Sequence, residues 1–255
     1  MSTVLAGPPG ECCAKGFKHS GEPAGTTVTI ADLRTYLSDP PHVQSEGPKK
    51  VILFFSDIFG PYFLNNQLLQ DYYASQGFHV LGVDYFFGDA VHLHTEPGFE
   101  LWPWIDKCFV KAKEVTPKWI DAVIDKYGTL LLLFVNASIY IIGYCFGAPF
   151  TMELAAGDRI AAAAFVHPAY LTDDHFKKLK KPLLLSLAEI DPTFPTESRR
   201  RAEDILNEVK ATYHVQLFGG VEHGFATRGD PSVEVIRWSK EESARGIAGW
   251  FNRFT

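Results

Sequence analysis

From Val28 onward, short apolar runs with little polar alternation recur along the chain, separated by amphipathic stretches of helical length. The runs Val51–Phe55, Val80–Val83, Tyr140–Gly143, Ala162–Val166, Leu183–Ala188 and Tyr213–Phe218 predict strands. Apolar positions at helical spacing predict helices over 62–76, 103–113, 117–127, 147–156, 196–210 and 233–251. Strands that are apolar throughout suit burial on both faces, and helices between them imply right-handed crossovers into a mostly parallel sheet. The expected architecture is therefore a three-layer α/β sandwich with one mostly parallel central sheet.

Residues 1–27 do not follow this alternation. Gly7-Pro8-Pro9-Gly10, the pair Cys12-Cys13 and several further glycines read as an irregular arm, and the paired cysteines have no partner motif. Residues 28–255 read as a single domain, and 255 residues with 46% hydrophobic side chains can bury one sizeable core. Lys177–Lys181, just ahead of Pro182, reads as a solvated helix end. Trp102, Trp104 and Trp119 read as packing residues.

A net charge of −6 argues against nucleic-acid or anionic-lipid partners. The longest apolar stretch, Leu130–Val135, is too short to span a bilayer, and no basic start followed by an apolar run marks the N-terminus. Cys12, Cys13, Cys108 and Cys145 fit neither a disulfide scaffold nor a paired zinc site, which favours a reducing, cytoplasmic setting. His92-x-His94 lacks a third ligand at a telling spacing and reads as surface loop, so no metal and no cofactor are expected.

The chemistry is concentrated in Tyr140-Ile141-Ile142-Gly143-Tyr144-Cys145-Phe146-Gly147, an apolar strand running into Gly-x-Cys-x-Gly and then a helix-compatible segment. This has the form of a nucleophile elbow. A strand-to-helix turn this tight leaves no room for side chains two before and two after the nucleophile, hence glycine at 143 and 147. It would lift the Cys145 thiol above the sheet at a helix N-terminus, where free N–H groups favour a thiolate.

Two partners follow in the order nucleophile, acid, histidine. Asp191 comes just after the Leu183–Ala188 run, and His223 lies in the loop after the last strand. His223 would take the thiol proton and later activate water, while Asp191 would orient the imidazole. Acyl transfer also needs two N–H groups aimed at the developing oxyanion, each contributing about 3 kcal/mol. The amides of Phe146, after the nucleophile, and Ile58, after the Val51–Phe55 strand, are the candidates.

Asp57-Ile58-Phe59-Gly60, Gly143-Tyr144-Cys145-Phe146-Gly147, Asp191 and His223-Gly224-Phe225 together resemble the dienelactone hydrolase family, in its fungal branch, from about Val28 to the end. The resemblance implies an α/β-hydrolase, monomeric or homodimeric and cofactor-free, that opens a small-molecule carboxylic ester or enol-lactone through an acyl-cysteine. It further implies that Asp57 contacts the resting thiol and is displaced when substrate binds. The arginines that hold a substrate carboxylate in the bacterial family are not matched: Phe86-Phe87-Gly88 follows Asp84-Tyr85, and Thr227 stands four past His223, with Arg228 one later.

Phe59, Tyr62, Tyr85, Phe86, Tyr144, Phe146 and Phe225 flank the motifs and could line a larger apolar pocket, with Arg228, Arg237 or Lys107 replacing the absent arginines. The segment 128–138 is longer than the family usually has before the elbow strand. Two alternatives stay open: a thioesterase or lactonase acting on a bulky secondary metabolite, and a non-catalytic ligand-binding member of the fold. A redox role for Cys145 is disfavoured, because no resolving cysteine stands at Cys-x-x-Cys spacing.

Overall fold

A computed structural model describes residues 2–41, 48–128 and 137–255. The elements are, in chain order, β1 (Val4–Ala6), β2 (Thr26–Ile30), β3 (Leu33–Ser38), β4 (Lys49–Phe55), α1 (Leu64–Ser75), β5 (His79–Val83), α2 (Leu101–Gly128) and β6 (Ala137–Tyr144). There follow α3 (Ala148–Ala155), β7 (Ala162–Val166), β8 (Leu171–Thr172), α4 (Asp173–Lys177), β9 (Leu183–Ile190), α5 (Thr196–Glu208), β10 (Tyr213–Glu222), α6 (Phe225–Arg228) and α7 (Glu234–Asn252).

The main sheet has the order β10-β9-β7-β6-β4-β5-β3-β2. Strands β10 to β5 run parallel in that order, and β3 and β2 close the far edge antiparallel. All six expected strands are present, most of them a few residues longer. Val51–Phe55 of β4 show why apolar runs report this architecture. All five are fully buried, and they alternate between two cores. Val51, Leu53 and Phe55 pack with Trp119 of α2, Phe150 of α3 and Ile205 of α5. Ile52 and Phe54 pack with Tyr73 of α1 and Phe251 of α7. A strand buried on both faces has no polar alternation to display.

Three expectations are corrected. The β2–β3 hairpin was not predicted, because its turn, Ala31-Asp32, carries two residues at positive φ (48° and 66°) without the Asn-Gly or Asp-Gly signature such turns usually show. Helices expected over 103–113 and 117–127 are one 28-residue helix, α2, continuous through Pro117. Pro117 is exposed, and Ala112, Thr116, Trp119, Ile120 and Val123, which fall on one helical face, are buried across it. Tertiary packing on that stripe outweighs the ~3 kcal/mol that an interior proline costs.

The third correction concerns the arm. Residues 1–27, expected to be irregular, contain β1, paired antiparallel with β8, and a short 3₁₀ turn over Glu11–Ala14. Leu5, Ala6 and Cys13 are buried in the main core. Lys177–Lys181 begins at the end of α4, as a helix end should. The apolar run Leu130–Val135 lies outside the described residues. No described helix is long and apolar enough to cross a membrane.

Candidate active site

The parallel strands deliver their C-terminal ends to one edge of the sheet, where ligands bind in open α/β folds. Asp57 and Ile58 follow β4, Cys145 follows β6, His167 follows β7, Asp191 follows β9 and His223 follows β10. Cys145 sits at φ 47°, a conformation that costs a non-glycine residue energy and persists only where its surroundings enforce it. The enforcing contacts are close. A Cβ on Gly143 would stand 2.3 Å from the Gly147 carbonyl oxygen, and one on Gly147 would stand 2.3 Å from that of Phe55. Both glycines are therefore fixed by sterics, and the elbow expected from the sequence is the turn observed.

His223 and Asp191 are held together by ordinary hydrogen-bond geometry. His223 Nδ1 lies 2.9 and 3.0 Å from the two Asp191 carboxylate oxygens. Asp191 Oδ1 also accepts the Thr193 hydroxyl at 2.6 Å and the amides of Thr193 and Phe194 at 2.9 and 3.1 Å. Both side chains are buried, and His223 Nε2 has no hydrogen-bond partner among the described residues. A ring nitrogen of His223, the Cys145 thiol and the Cys13 thiol all lie within 4.8 Å of one another.

Burial opposes a charge on His223, but the Asp191 carboxylate and the adjacent Cys13 thiol outweigh it and raise the pKa from 6.5 to about 10. The folded protein then keeps a proton that the unfolded chain has lost. The stabilisation is complete below about pH 6.5 and is lost as pH rises towards about 10, by up to about 1.4 kcal/mol per pH unit. Urea unfolding of wild type and His223→Gln across that window should show the wild-type advantage shrinking. An advantage that stays constant would mean the imidazole is not charged.

The arm is stitched over this centre from both sides. Gly7 donates to Thr193 O and accepts from Tyr170 N, each at 2.8 Å. Phe17 N donates to Arg228 O at 2.9 Å, and Arg228 Nε donates to Lys15 O at 3.1 Å. Between these stitches Cys13, fully buried, places its thiol 3.6 Å from that of Cys145, which is also fully buried. Cys12 follows, its thiol 3.8 Å from that of Cys13. Cys12 and His223 line a cavity of about 570 Å³ with Lys15, Phe17, Phe225 and Arg228.

Asp57, expected beside the thiol, is engaged elsewhere. Its carboxylate forms a buried ion pair with Arg228 and accepts from Thr227 Oγ1 at 2.8 Å, Asn66 Nδ2 at 3.0 Å and the Phe59 amide at 3.1 Å. Cys13, not Asp57, is the hydrogen-bonding neighbour of Cys145. Arg228, expected as a substrate-binding cation, is turned inward by the same ion pair. The side chain opposite the nucleophile therefore differs from the one the resemblance implied. The residue that replaces it comes from an arm 132 positions away, which no local spacing could reveal.

The expected pocket residues divide. Phe225 and Arg228 border the cavity. Phe59 stacks on His92 and packs tilted against Phe63, and Tyr62 lies beside Tyr36 beneath the Arg34 guanidinium. Tyr85, Phe86 and Phe146 form a buried aromatic cluster with Phe150 and Trp104, and Tyr85 donates to Ser56 O. Tyr144 faces the opposite core, where its hydroxyl bonds that of Tyr73 at 2.7 Å. Neighbours in an elbow point to opposite sides, so Tyr144 cannot share a pocket with the Cys145 thiol. His167, missed in the sequence, packs edge-on against the His223 ring at 4.8 Å, and burial drives its pKa well down, so it is neutral.

Comparison with known proteins identifies the family and the fold. The family model described as the dienelactone hydrolase family matches residues 33–255. Dienlactone hydrolase 1 of Gibberella moniliformis is 34% identical over 98% of this chain and 95% of its own length. Hydrolase tropI of Talaromyces stipitatus is 31% identical over 97% of each. Among solved structures, a Klebsiella pneumoniae protein assigned as a dienelactone hydrolase superposes with a TM-score of 0.73 at 16% identity, covering 92% of this chain and all of its own. The dienelactone hydrolase-like promiscuous phosphotriesterase P91 gives 0.67 at 17% identity, over 92% and 99%.

Proposed function

The chain belongs to the dienelactone hydrolase family, and from that premise we propose that it hydrolyses carboxylic esters or lactones through an acyl-cysteine formed on Cys145. The observation that carries this reading is His223. Its Nδ1 is bound to Asp191, its buried Nε2 is unpartnered, and the ring stands with a nitrogen within 4.8 Å of a thiol on a strained elbow. Cys145 reacts as the thiolate beside an already protonated His223, and this thiolate adds to the substrate carbonyl. The tetrahedral oxyanion is met by the amides of Ile58 and Phe146. Collapse expels the alcohol or enol oxygen, which takes the proton from His223. Water, deprotonated at the same nitrogen, then releases the acid.

Substrate class follows from charge and size. The Asp57 carboxylate neutralises Arg228, so no net positive charge is left there for a substrate carboxylate. The cavity of about 570 Å³, which His223 lines and Cys145 does not, carries Glu11 and Glu222 against Lys15 and suits an uncharged acyl group larger than a small dicarboxylate lactone. Brief exposure of the full chain to p-nitrophenyl acetate, acid quenching and peptide mass spectrometry should find the acetyl group on the peptide holding Cys145. A bulkier aryl ester should react faster than a carboxylate-bearing one. Acyl label on any other residue would remove Cys145 as the nucleophile.

A further inference from the structure

We propose that Cys13, Cys145 and His223 together capture one thiophilic divalent cation, zinc being the reference case, and that the captured ion closes the active site. Tetrahedral zinc with Zn–S bonds of about 2.3 Å sets its two thiolates about 3.8 Å apart. The Cys13 and Cys145 sulfurs stand 3.6 Å apart with nothing bound. The matching thiolate-to-imidazole edge is about 3.6 Å, so the His223 ring nitrogen, already within 4.8 Å of both sulfurs, has at most about 1.2 Å to close.

Three further features favour an ion there. His223 Nε2 is buried without a partner, so a cation would satisfy a group that is otherwise costly to keep dry. Its Nδ1 rests on the Asp191 carboxylate, the outer-sphere arrangement that fixes the tautomer of a ligating histidine. The Cys13 thiol is itself oriented, because it accepts the Gly10 amide at 3.4 Å within the 3₁₀ turn. The fourth position falls to Cys12 or to solvent from the cavity that Cys12 and His223 line.

Binding releases the protons of both thiols and any proton on His223 to solvent. The two thiolates then neutralise the dication, with no change of oxidation state. The ion would hold both the attacking sulfur and the nitrogen that must carry the proton for the leaving group, so it would arrest hydrolysis. That consequence rests on Cys145 being the nucleophile; the binding does not.

The test is a titration of the reduced full chain with Co²⁺, a coloured stand-in for zinc, followed by Zn²⁺. One equivalent should produce thiolate-to-cobalt charge transfer and the visible bands of a tetrahedral site, and Zn²⁺ should abolish both. In Cys13→Ser the charge-transfer intensity should fall by about half. The zinc inhibition constant for p-nitrophenyl acetate hydrolysis, taken against each protein's own metal-free rate, should rise at least about 100-fold, more than the loss of an outer-sphere partner costs.

A wild-type titration without charge transfer would overturn the proposal, whether or not Cys13→Ser folds. Zinc inhibiting Cys13→Ser as strongly as wild type would overturn it too. Charge transfer in a chain that hydrolyses no ester would uphold the cation site and count against the nucleophile instead.

Discussion

Replacing Cys145 with alanine is expected to lower kcat/KM for aryl esters by about 10⁴-fold or more, while the folded chain survives. The magnitude follows from how the parts depend on one another. Without the thiol, the proton on His223 has no thiolate beside it and no leaving group to reach, so only the amides at Ile58 and Phe146 still act on the carbonyl. Such residual donors leave a small rate above water. For the same reason Cys145→Ala/His223→Ala should be scarcely slower than Cys145→Ala alone, which marks a unit rather than two additive contributors.

Folding is not expected to limit this experiment. Alanine keeps the Cβ and loses one buried sulfur, and the strain at φ 47° is unchanged. Steady-state kinetics with thermal melts of each variant would check both statements. A Cys145→Ala variant retaining even a tenth of wild-type turnover would sink the acyl-cysteine mechanism.

The second large effect is on stability. Arg228→Met should destabilise the fold by about 3–5 kcal/mol, because it leaves the Asp57 carboxylate buried without its cation. Neither side chain has more than 2% exposure, so solvent cannot substitute. The donors from Thr227, Asn66 and Phe59 remain, and they hold the loss towards the lower end of that range. Arg228 also packs its guanidinium over the Phe59 ring at 5.0 Å and ties down the arm at Lys15, so part of the loss is packing.

Asp57→Asn combined with Arg228→Met removes both charges and should recover part of the loss. Urea unfolding of the two single variants and the double variant gives the coupling energy directly. A cost below about 1 kcal/mol for Arg228→Met would place this pair among solvent-screened surface pairs, against its observed burial.

The sequence by itself determined what local physics encodes. Apolar runs without alternation mark strands buried on both faces, which Val51–Phe55 confirm by dividing between two cores. Glycine at 143 marks the elbow, because the collision a side chain would meet there, with the Gly147 carbonyl, lies within the turn itself; the glycine at 147 is required by the neighbouring β4, at the Phe55 carbonyl. The order of cysteine, aspartate and histidine, each after a strand, could be read because strand ends gather at one sheet edge.

Where local preference and packing disagreed, the sequence misled. Pro117 reads as a break, yet the buried stripe from Ala112 to Val123 keeps α2 whole. Ala31-Asp32 lacks a turn signature, yet the pairing of β2 with β3 holds both residues at positive φ. Tyr144 and Tyr85 read as pocket aromatics because they adjoin motifs, but side-chain direction decides which surface they meet, and both point into packed core.

Contacts between distant parts of the chain were decided only by the tertiary structure. Asp57 and Arg228 each carry a charge whose partner could have been solvent, substrate or protein, and burial chose the last. Cys13 looked inert in a glycine-rich arm. It reaches Cys145 only because β1 pairs with β8 and the arm is stitched to the Asp191 and His223 loops. Periodicity and turn sterics act over a few residues and are written in the sequence. The meeting of two thiols 132 positions apart depends on every strand and crossover between them, and on a hydrogen-bonded path that exists only once the sheet has formed.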